Sequence, residues 1–421
     1  MTTYPAQRLA TDVADRLADP DAAPAAYRAK DWWRQSLAHG VPGVALLHIE
    51  LAAQGLRPWQ RAHDWLAATA RAPLTSGPDS HPYHGAPALA HALACAAEHL
   101  PGSYQHPLQT LDRQLAADAR RRLDAAHRRI DDGQLPALAE FDAIHGLTGY
   151  GARLLHRDPD SDAGRAVLEY LVRLTEPLTD SGQELPGWWT TSGPSGRPDA
   201  RFSGGHANTG AAHGIAGALS LLSLAARRTI TVPGHLDAIR TICAWLDRWR
   251  QDTDRGPTWP YWITPAELRT NRAAPNAPLR PSWCYGTAGV GRAQQLAALA
   301  LGDRARQLAA ENALADALAD PAQLAATTDI SLCHGFAGLA HIAARVAHDA
   351  HDALPETAHR LRALIPPLLS AVQPAAAVAL VEASDAGPGL LNGAAGVALA
   401  TLAAGSTDPP RSAWDACLLI S

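Results

Sequence analysis

The chain has 421 residues, of which 47% are hydrophobic and 18% charged, and its formal net charge is −5. That composition supports a sizeable core, and the lack of a basic excess excludes nucleic acid and anionic membrane as general partners. Five cysteines in this length do not make a disulfide framework.

The opening run MTTYPAQRLATDVADRL carries Asp12 and Asp15 and has no apolar stretch, so it does not read as a signal peptide. The longest apolar run, Leu390–Ala404, is interrupted by Asn392, Gly393, Gly396 and Thr401. It reads as a core helix rather than a membrane segment, and the chain is expected to be cytoplasmic.

Between these ends the sequence repeats itself. Gly40, Gly85, Gly146, Gly214, Gly286, Gly335 and Gly393 each open a Gly-x-x-Gly motif or a near relative, followed by small and apolar residues. The second segment, GAPA, has Ala88 in place of the second glycine. Successive starts lie between 45 residues (Gly40 to Gly85) and 72 residues (Gly214 to Gly286) apart. Amphipathic helices fill the intervals. In one, Leu236, Ile239, Ile242, Cys243 and Leu246 share a face, with Arg240, Asp247 and Arg248 on others.

Helices that are apolar all round belong inside, and amphipathic ones outside. The pattern therefore predicts an all-α fold: an α/α toroid (barrel) of seven inner and seven outer helices, forming one domain over residues 1–421. The interval 98–140, helical in pattern at Leu108–Arg129, leaves room for a small extension. Two connections are long and aromatic. Pro177–Thr209 contains Trp188 and Trp189, and Gln251–Ser282 contains Trp259, Tyr261 and Trp262. Their rings either cap the barrel end or line a binding surface.

Aligned on the first glycine, the preceding residue is His39, His84, His145, His213, Tyr285, His334 or Asn392. One residue earlier, two consecutive segments carry Cys284 and Cys333 at the same address. Consecutive inner helices of a ring are neighbours, so these thiols should meet at adjacent helix N-termini, with His334 beside them. Cys, Cys and His form a zinc donor set with the fourth position open, as in catalytic sites, and helix N-termini favour thiolate. Cys95, Cys243 and Cys417 fall outside the register. Asp142, four residues before Gly146, and Arg280, four before Cys284, lie on the same rim, as does Tyr285. The competing reading makes the thiols small buried residues, the histidines caps of helix entries, and Asp142 and Arg280 a structural ion pair.

The motifs Trp283-Cys284-Tyr285-Gly286, Cys333-His334-Gly335 and Ala212-His213-Gly214-Ile215-Ala216-Gly217, set in seven glycine-rich helix starts, resemble the lanthionine synthetase C family of lantibiotic cyclases. The resemblance spans essentially the whole chain. It implies an α/α toroid with one zinc held by Cys284, Cys333 and His334, and a reacting centre formed by His213, Asp142, Arg280 and Tyr285. It further implies addition of a peptide cysteine to dehydroalanine or dehydrobutyrine, with lanthionine or methyllanthionine as product. In that scheme His213 is the acid, Asp142 orients it or raises its pKa, and Arg280 stabilises negative charge. The partners implied are a dehydrated precursor peptide, a separate dehydratase and a transporter. Two rivals share the zinc: a relative that adds glutathione or another small thiol, and a non-catalytic peptide-binding scaffold. The resemblance assigns no role to His39, His84 or His145.

Overall fold

The computed structural model describes residues 4–180, 182–274, 279–382 and 387–421. The first three residues of the opening run, and Ser181 and residues 275–278 of the two long connections, lie outside the described residues. Among those described, fourteen helices exceed ten residues. In chain order they are α1 (Tyr4–Arg16), α2 (Val41–Ala53), α3 (Trp59–Thr69), α4 (Ala86–Ala97), α5 (Gln105–Asp131), α6 (Leu147–Arg157) and α7 (Asp162–Arg173). The series continues with α8 (Ile215–Arg227), α9 (His235–Arg248), α10 (Thr287–Leu301), α11 (Arg304–Ala319), α12 (Phe336–Ala350), α13 (Pro355–Ser370) and α14 (Ala394–Ala404). No described helix is long and apolar enough to cross a membrane.

The even-numbered helices are the inner set, and each begins at a register glycine. Gly40, Gly85, Gly146, Gly214, Gly286, Gly335 and Gly393 are their N-caps. Every residue of α14 is buried. Most of the odd-numbered helices are amphipathic. In α9, His235, Ala238, Ile239, Ile242, Cys243 and Leu246 are buried. Leu236, read from the sequence as part of that stripe, is instead 38% exposed. It lies about 90° from the centre of those buried residues, at 100° per residue, and in the helix's first turn. The interval 98–140 holds α5 and one short turn of helix, Leu138–Phe141.

The chain divides into two compact units. One contains residues 4–115 and 327–416, and the other contains 116–326 and 417–421. In the first, α2 packs on α3, α4 and α14, α12 packs on α13 and α14, and α1 covers α14. Some of its buried polar groups are paired across the chain. Asp415 accepts from His341 at 2.9 Å and from Arg345 at 2.8 and 3.0 Å, and Glu50 accepts from the backbone N–H groups of Arg411 and Ser412. In the second unit α8 packs between α6 and α10, with α7, α9 and α11 outside.

The two long connections belong to the second unit and carry its short strands. Strands β1 (Leu178–Asp180) and β2 (Gln183–Leu185) form one hairpin, and β5 (Gln251–Thr253) and β6 (Gly256–Thr258) another. Strands β3 (Trp189–Thr190), β4 (His206–Asn208) and β7 (Trp262–Ile263) form an antiparallel sheet that joins one connection to the other. Trp188, Trp189 and Trp259 are buried and serve as the cores of these loops.

The glycine motif has a steric cause. Before every inner helix but the second the chain folds back over the helix's first turn. The carbonyl three residues before the N-cap then lies against the second glycine. A Cβ would overlap Leu37 O at Gly43, Ala211 O at Gly217, Trp283 O at Gly289, Leu332 O at Gly338 and Leu390 O at Gly396. In four helices this glycine's N–H also reaches the carbonyl four residues before the N-cap: Gly149 to Asp142 (3.4 Å), Gly289 to Ser282 (3.1 Å), Gly338 to Ser331 (3.2 Å) and Gly396 to Gly389 (3.1 Å). The second repeat enters differently, through a 2.8 Å bond from Ala86 N–H to Thr75 O, and there Ala88 is tolerated.

This predicts opposite outcomes for two glycines of similar burial. Gly338→Ala drives a Cβ into the Leu332 carbonyl and should cost about 1–3 kcal/mol or more. Gly291→Ala meets only ordinary contacts, the nearest 3.5 Å from Ala310 O, and should be neutral or gain up to about 1 kcal/mol from helix propensity. Urea unfolding of the two variants checks this.

Candidate active site

The back-folded turns set each residue before an inner helix at a defined address. Four residues ahead of the N-cap stand Ser36, Asp142, Ser282 and Ser331, and each side chain accepts the N–H three residues on. These bonds are Ser36 from His39 (3.1 Å), Asp142 from His145 (2.6 Å), Ser282 from Tyr285 (3.3 Å) and Ser331 from His334 (3.2 Å). Local capping of this kind needs only one oxygen. Asp142 brings two. Its Oδ1 caps His145 and Gly146, while Oδ2 lies 2.6 Å from His213 Nδ1 and 3.4 Å from His145 Nδ1.

Asp142 is 1% exposed. Burial alone would raise its carboxyl, but hydrogen bonds from His145 and His213 outweigh burial and hold it at about 2, below the usual 3.8. His213 shows the reciprocal effect. Burial works against its imidazolium, yet the Asp142 hydrogen bond and charge, aided by the charge of Cys284, raise it above its ordinary 6.5. The His145 ring stacks on the His213 ring with centroids 5.9 Å apart.

Neighbouring turns are joined at the address two residues before the N-cap. Within the second unit Ala212 N–H donates to Cys284 O at 3.4 Å. Within the first, Cys333 N–H donates to Leu391 O and Leu391 N–H to Ala38 O, both at 2.9 Å. Cys284 is 7% exposed, with Ser282 Oγ 3.5 Å from its sulfur. The Tyr285 ring lies 6.4 Å from that of His213 and 5.3 Å from that of Tyr261. The Tyr285 hydroxyl accepts from Asn208 Nδ2 at 3.0 Å and donates to Pro194 O at 3.4 Å. Tyr261 donates to the Arg280 carbonyl at 3.0 Å, and Arg280 Nε is buried with no hydrogen-bond partner.

Five of the seven residues singled out in the sequence, Asp142, His213, Arg280, Cys284 and Tyr285, thus belong to the second unit around linked entry turns. The other two, Cys333 and His334, belong to the first. His334 Nδ1 lies 2.7 Å from Asp329 Oδ2, which leaves Nε2 as the nitrogen available to a ligand. Burial opposes the Asp329 charge, but hydrogen bonds from His334 and Ser331 hold its carboxyl at about 2. A carboxylate behind an imidazole is the usual support of a metal-binding histidine.

Sequence reasoning missed Asp329, Asn208 and the stacking of His145 on His213. A signal for Asp142 itself was present: it is the one carboxylate at an address otherwise held by Ser, His or Gly. No register marks Asn208, whose partner lies 77 positions away.

Asp142, His145 and His213 also offer three donor atoms within 4.8 Å of one another. The 2.6 Å separation of Asp142 Oδ2 and His213 Nδ1 is a hydrogen bond, however. Two donors each about 2.0 Å from a tetrahedral ion stand about 3.3 Å apart. The group therefore reads as a carboxylate–imidazole pair. An apolar cavity of about 820 Å³ in the first unit is lined by Leu9, Ile365, Leu369 and Thr401 among others, and by none of the register residues.

No curated protein matches at the sequence level. The solved structure of nisin cyclase superimposes with a TM-score of 0.77 over 98% of this chain and 96% of that one, at 20% identity. The fold is accordingly the α/α toroid that the seven glycine-started helices predict. Lanthionine synthetase C-like proteins match residues 31–419, and the chain belongs to that family.

Proposed function

We propose that the chain is a zinc-dependent cyclase that closes thioether rings in a peptide whose Ser and Thr have been dehydrated by a separate enzyme. The observation that carries this reading is the doubled duty of Asp142, which caps its own turn and holds His213 beside the turn bearing Cys284. A helix-entry cap alone has no use for the second oxygen.

Cys284, Cys333 and His334 would hold the metal. Both cysteines are thiols rather than halves of a disulfide, both stand just ahead of a helix N-terminus, and His334 has its carboxylate support. When bound, zinc supplies a vacant position that lowers the pKa of a substrate thiol from about 8.5. The residues of the chain do the rest. The substrate sulfur bonds to the β-carbon of the dehydroamino acid, and the π electrons pass to the α-carbon and its carbonyl as an enolate. His213, fixed through Nδ1, presents Nε2–H and delivers that proton to the α-carbon. The Arg280 guanidinium, with its buried unpartnered Nε, faces the negative charge that develops. Tyr285, fixed through its hydroxyl, forms the wall beside His213.

Cysteine replacement tests the metal. Cys284→Ala and Cys333→Ala should each lose zinc by metal analysis and lose ring closure on a dehydrated peptide. Ring closure leaves mass unchanged, so it is read as the disappearance of alkylatable thiols. Full zinc content in either variant contradicts the assignment.

A second test separates capping from chemistry. Asp142→Ser installs the residue that three other entry turns use at this address, so the cap is kept and the variant should fold, with a loss of about 2–4 kcal/mol from the broken pair with His213. The turnover should nevertheless fall about 10²–10⁴-fold. Wild-type activity in this variant would show that Asp142 only caps.

The pH profile carries a sign. His213 is raised, so its proton is retained to pH values above 6.5, and the rate should decline as pH rises through that folded-state value. Removing Asp142 leaves burial, which lowers the pKa, so residual activity of Asp142→Ser should decline at a lower pH than wild type. A limb that stays in place or moves upward would rule out His213 as the acid.

A further inference from the structure

Of the residues three places before each N-cap, Leu37, Pro82, Ala143, Ala211, Trp283, Leu332 and Leu390, only Trp283 carries a side-chain hydrogen-bond donor. It stands next to Cys284. Its indole N–H donates to Leu418 O at 3.0 Å, and its own carbonyl lies against Gly289. The Cys284 turn is thus held by side chain as well as by backbone.

The segment that accepts this bond is itself anchored. Leu418, Leu419 and Ile420 are each 2–3% exposed, and Leu419 is held at φ 58, an unfavourable conformation for a branched residue that persists only where surroundings enforce it. Ile420 O accepts from Arg292 Nε at 3.0 Å and Nη2 at 2.6 Å. Arg292 is a cation 2% exposed on inner helix α10. It also donates to Gln295, which donates to the buried Glu311 at 2.9 Å, as Gln307 does at 2.8 Å. Burying a cation costs free energy that a methionine there would avoid.

Arg292 stands six residues past its N-cap. In the first unit, His91 and His341 occupy the same position of their inner helices. His91 Nε2 lies 2.9 Å from Trp414 O, and His341 Nε2 lies 2.9 Å from Asp415 Oδ2. The address is used in both units to grip the run after residue 411.

We infer that Leu418–Ile420, anchored by Arg292, is a positioning element for the Cys284 turn, setting the thiol through Trp283. This rests on Cys284 being a zinc ligand. The full-length protein with Trp283→Phe, which keeps an aromatic ring and removes the N–H, tests it alongside Arg292→Gln. The readouts are zinc affinity by chelator competition, melting temperature, and the alkylation rate of Cys284 in metal-stripped protein, mapped by mass spectrometry with Cys243 as internal reference.

Both variants should bind zinc about 10-fold to 100-fold more weakly, and Cys284 should alkylate at a changed rate relative to Cys243. In Trp283→Phe the melting temperature should barely move. Unchanged zinc affinity and Cys284 reactivity overturn the inference, whether or not the melting temperature falls. If Arg292→Gln does not fold, Trp283→Phe decides alone. If wild type binds no zinc, the metal assignment fails separately, and the Cys284 alkylation rate still decides whether the segment positions the thiol.

Discussion

The structure depends on a carbonyl packed against a glycine. Before an inner helix the chain reverses onto the helix's own first turn, and the carbonyl three residues ahead of the N-cap occupies the space where a Cβ would stand. Five of the seven helices show this contact, from Leu37 against Gly43 to Leu390 against Gly396. The reversal makes each helix entry a rigid knob whose side chains point from fixed addresses. Backbone bonds such as Ala212 to Cys284 and Cys333 to Leu391 then join one knob to the next. The repeat thereby provides a series of equivalent positions on which chemistry can be placed by single substitutions.

The candidate site reads as a few such substitutions. A serine cap becomes Asp142, and its extra oxygen takes hold of the imidazole presented by the next knob. At the address two before the N-cap, where other repeats carry Ala, Ile, Leu or Tyr, two repeats carry Cys. In the last of these Asp329 supports His334 through Nδ1. The electrostatics follow from the bonding: hydrogen bonds outweigh burial at Asp142 and Asp329, and the Asp142 hydrogen bond and charge together outweigh burial at His213. Ionised carboxylates and a retained imidazolium proton belong to acid catalysis near neutral pH.

Much of this was legible in the sequence because the relevant information is local and repeated. Seven glycines marked seven helix starts, and every one is an N-cap. The coincidence of Cys284 with Cys333 in register, and the place of Asp142 four residues before Gly146, needed only alignment of the chain with itself. What escaped was either non-repeating or marginal. Asn208 meets Tyr285 across a strand that exists only because two loops pair. Asp329 lies six residues before its N-cap, two beyond the address that marks Asp142. Leu236 has the right spacing for the buried stripe of α9 but sits at its uncovered edge. Of the loop aromatics, Trp188, Trp189 and Trp259 build the loops, while Tyr261 and Trp262 approach Tyr285. Composition does not separate these roles.

X-ray absorption at the zinc edge of the purified protein addresses the central claim most directly. The account predicts two sulfur scatterers near about 2.3 Å with one nitrogen and one further light atom near about 2.0 Å. A shell of nitrogen and oxygen alone, as Asp142, His145 and His213 would provide, or a shell closed by four protein donors, would contradict it.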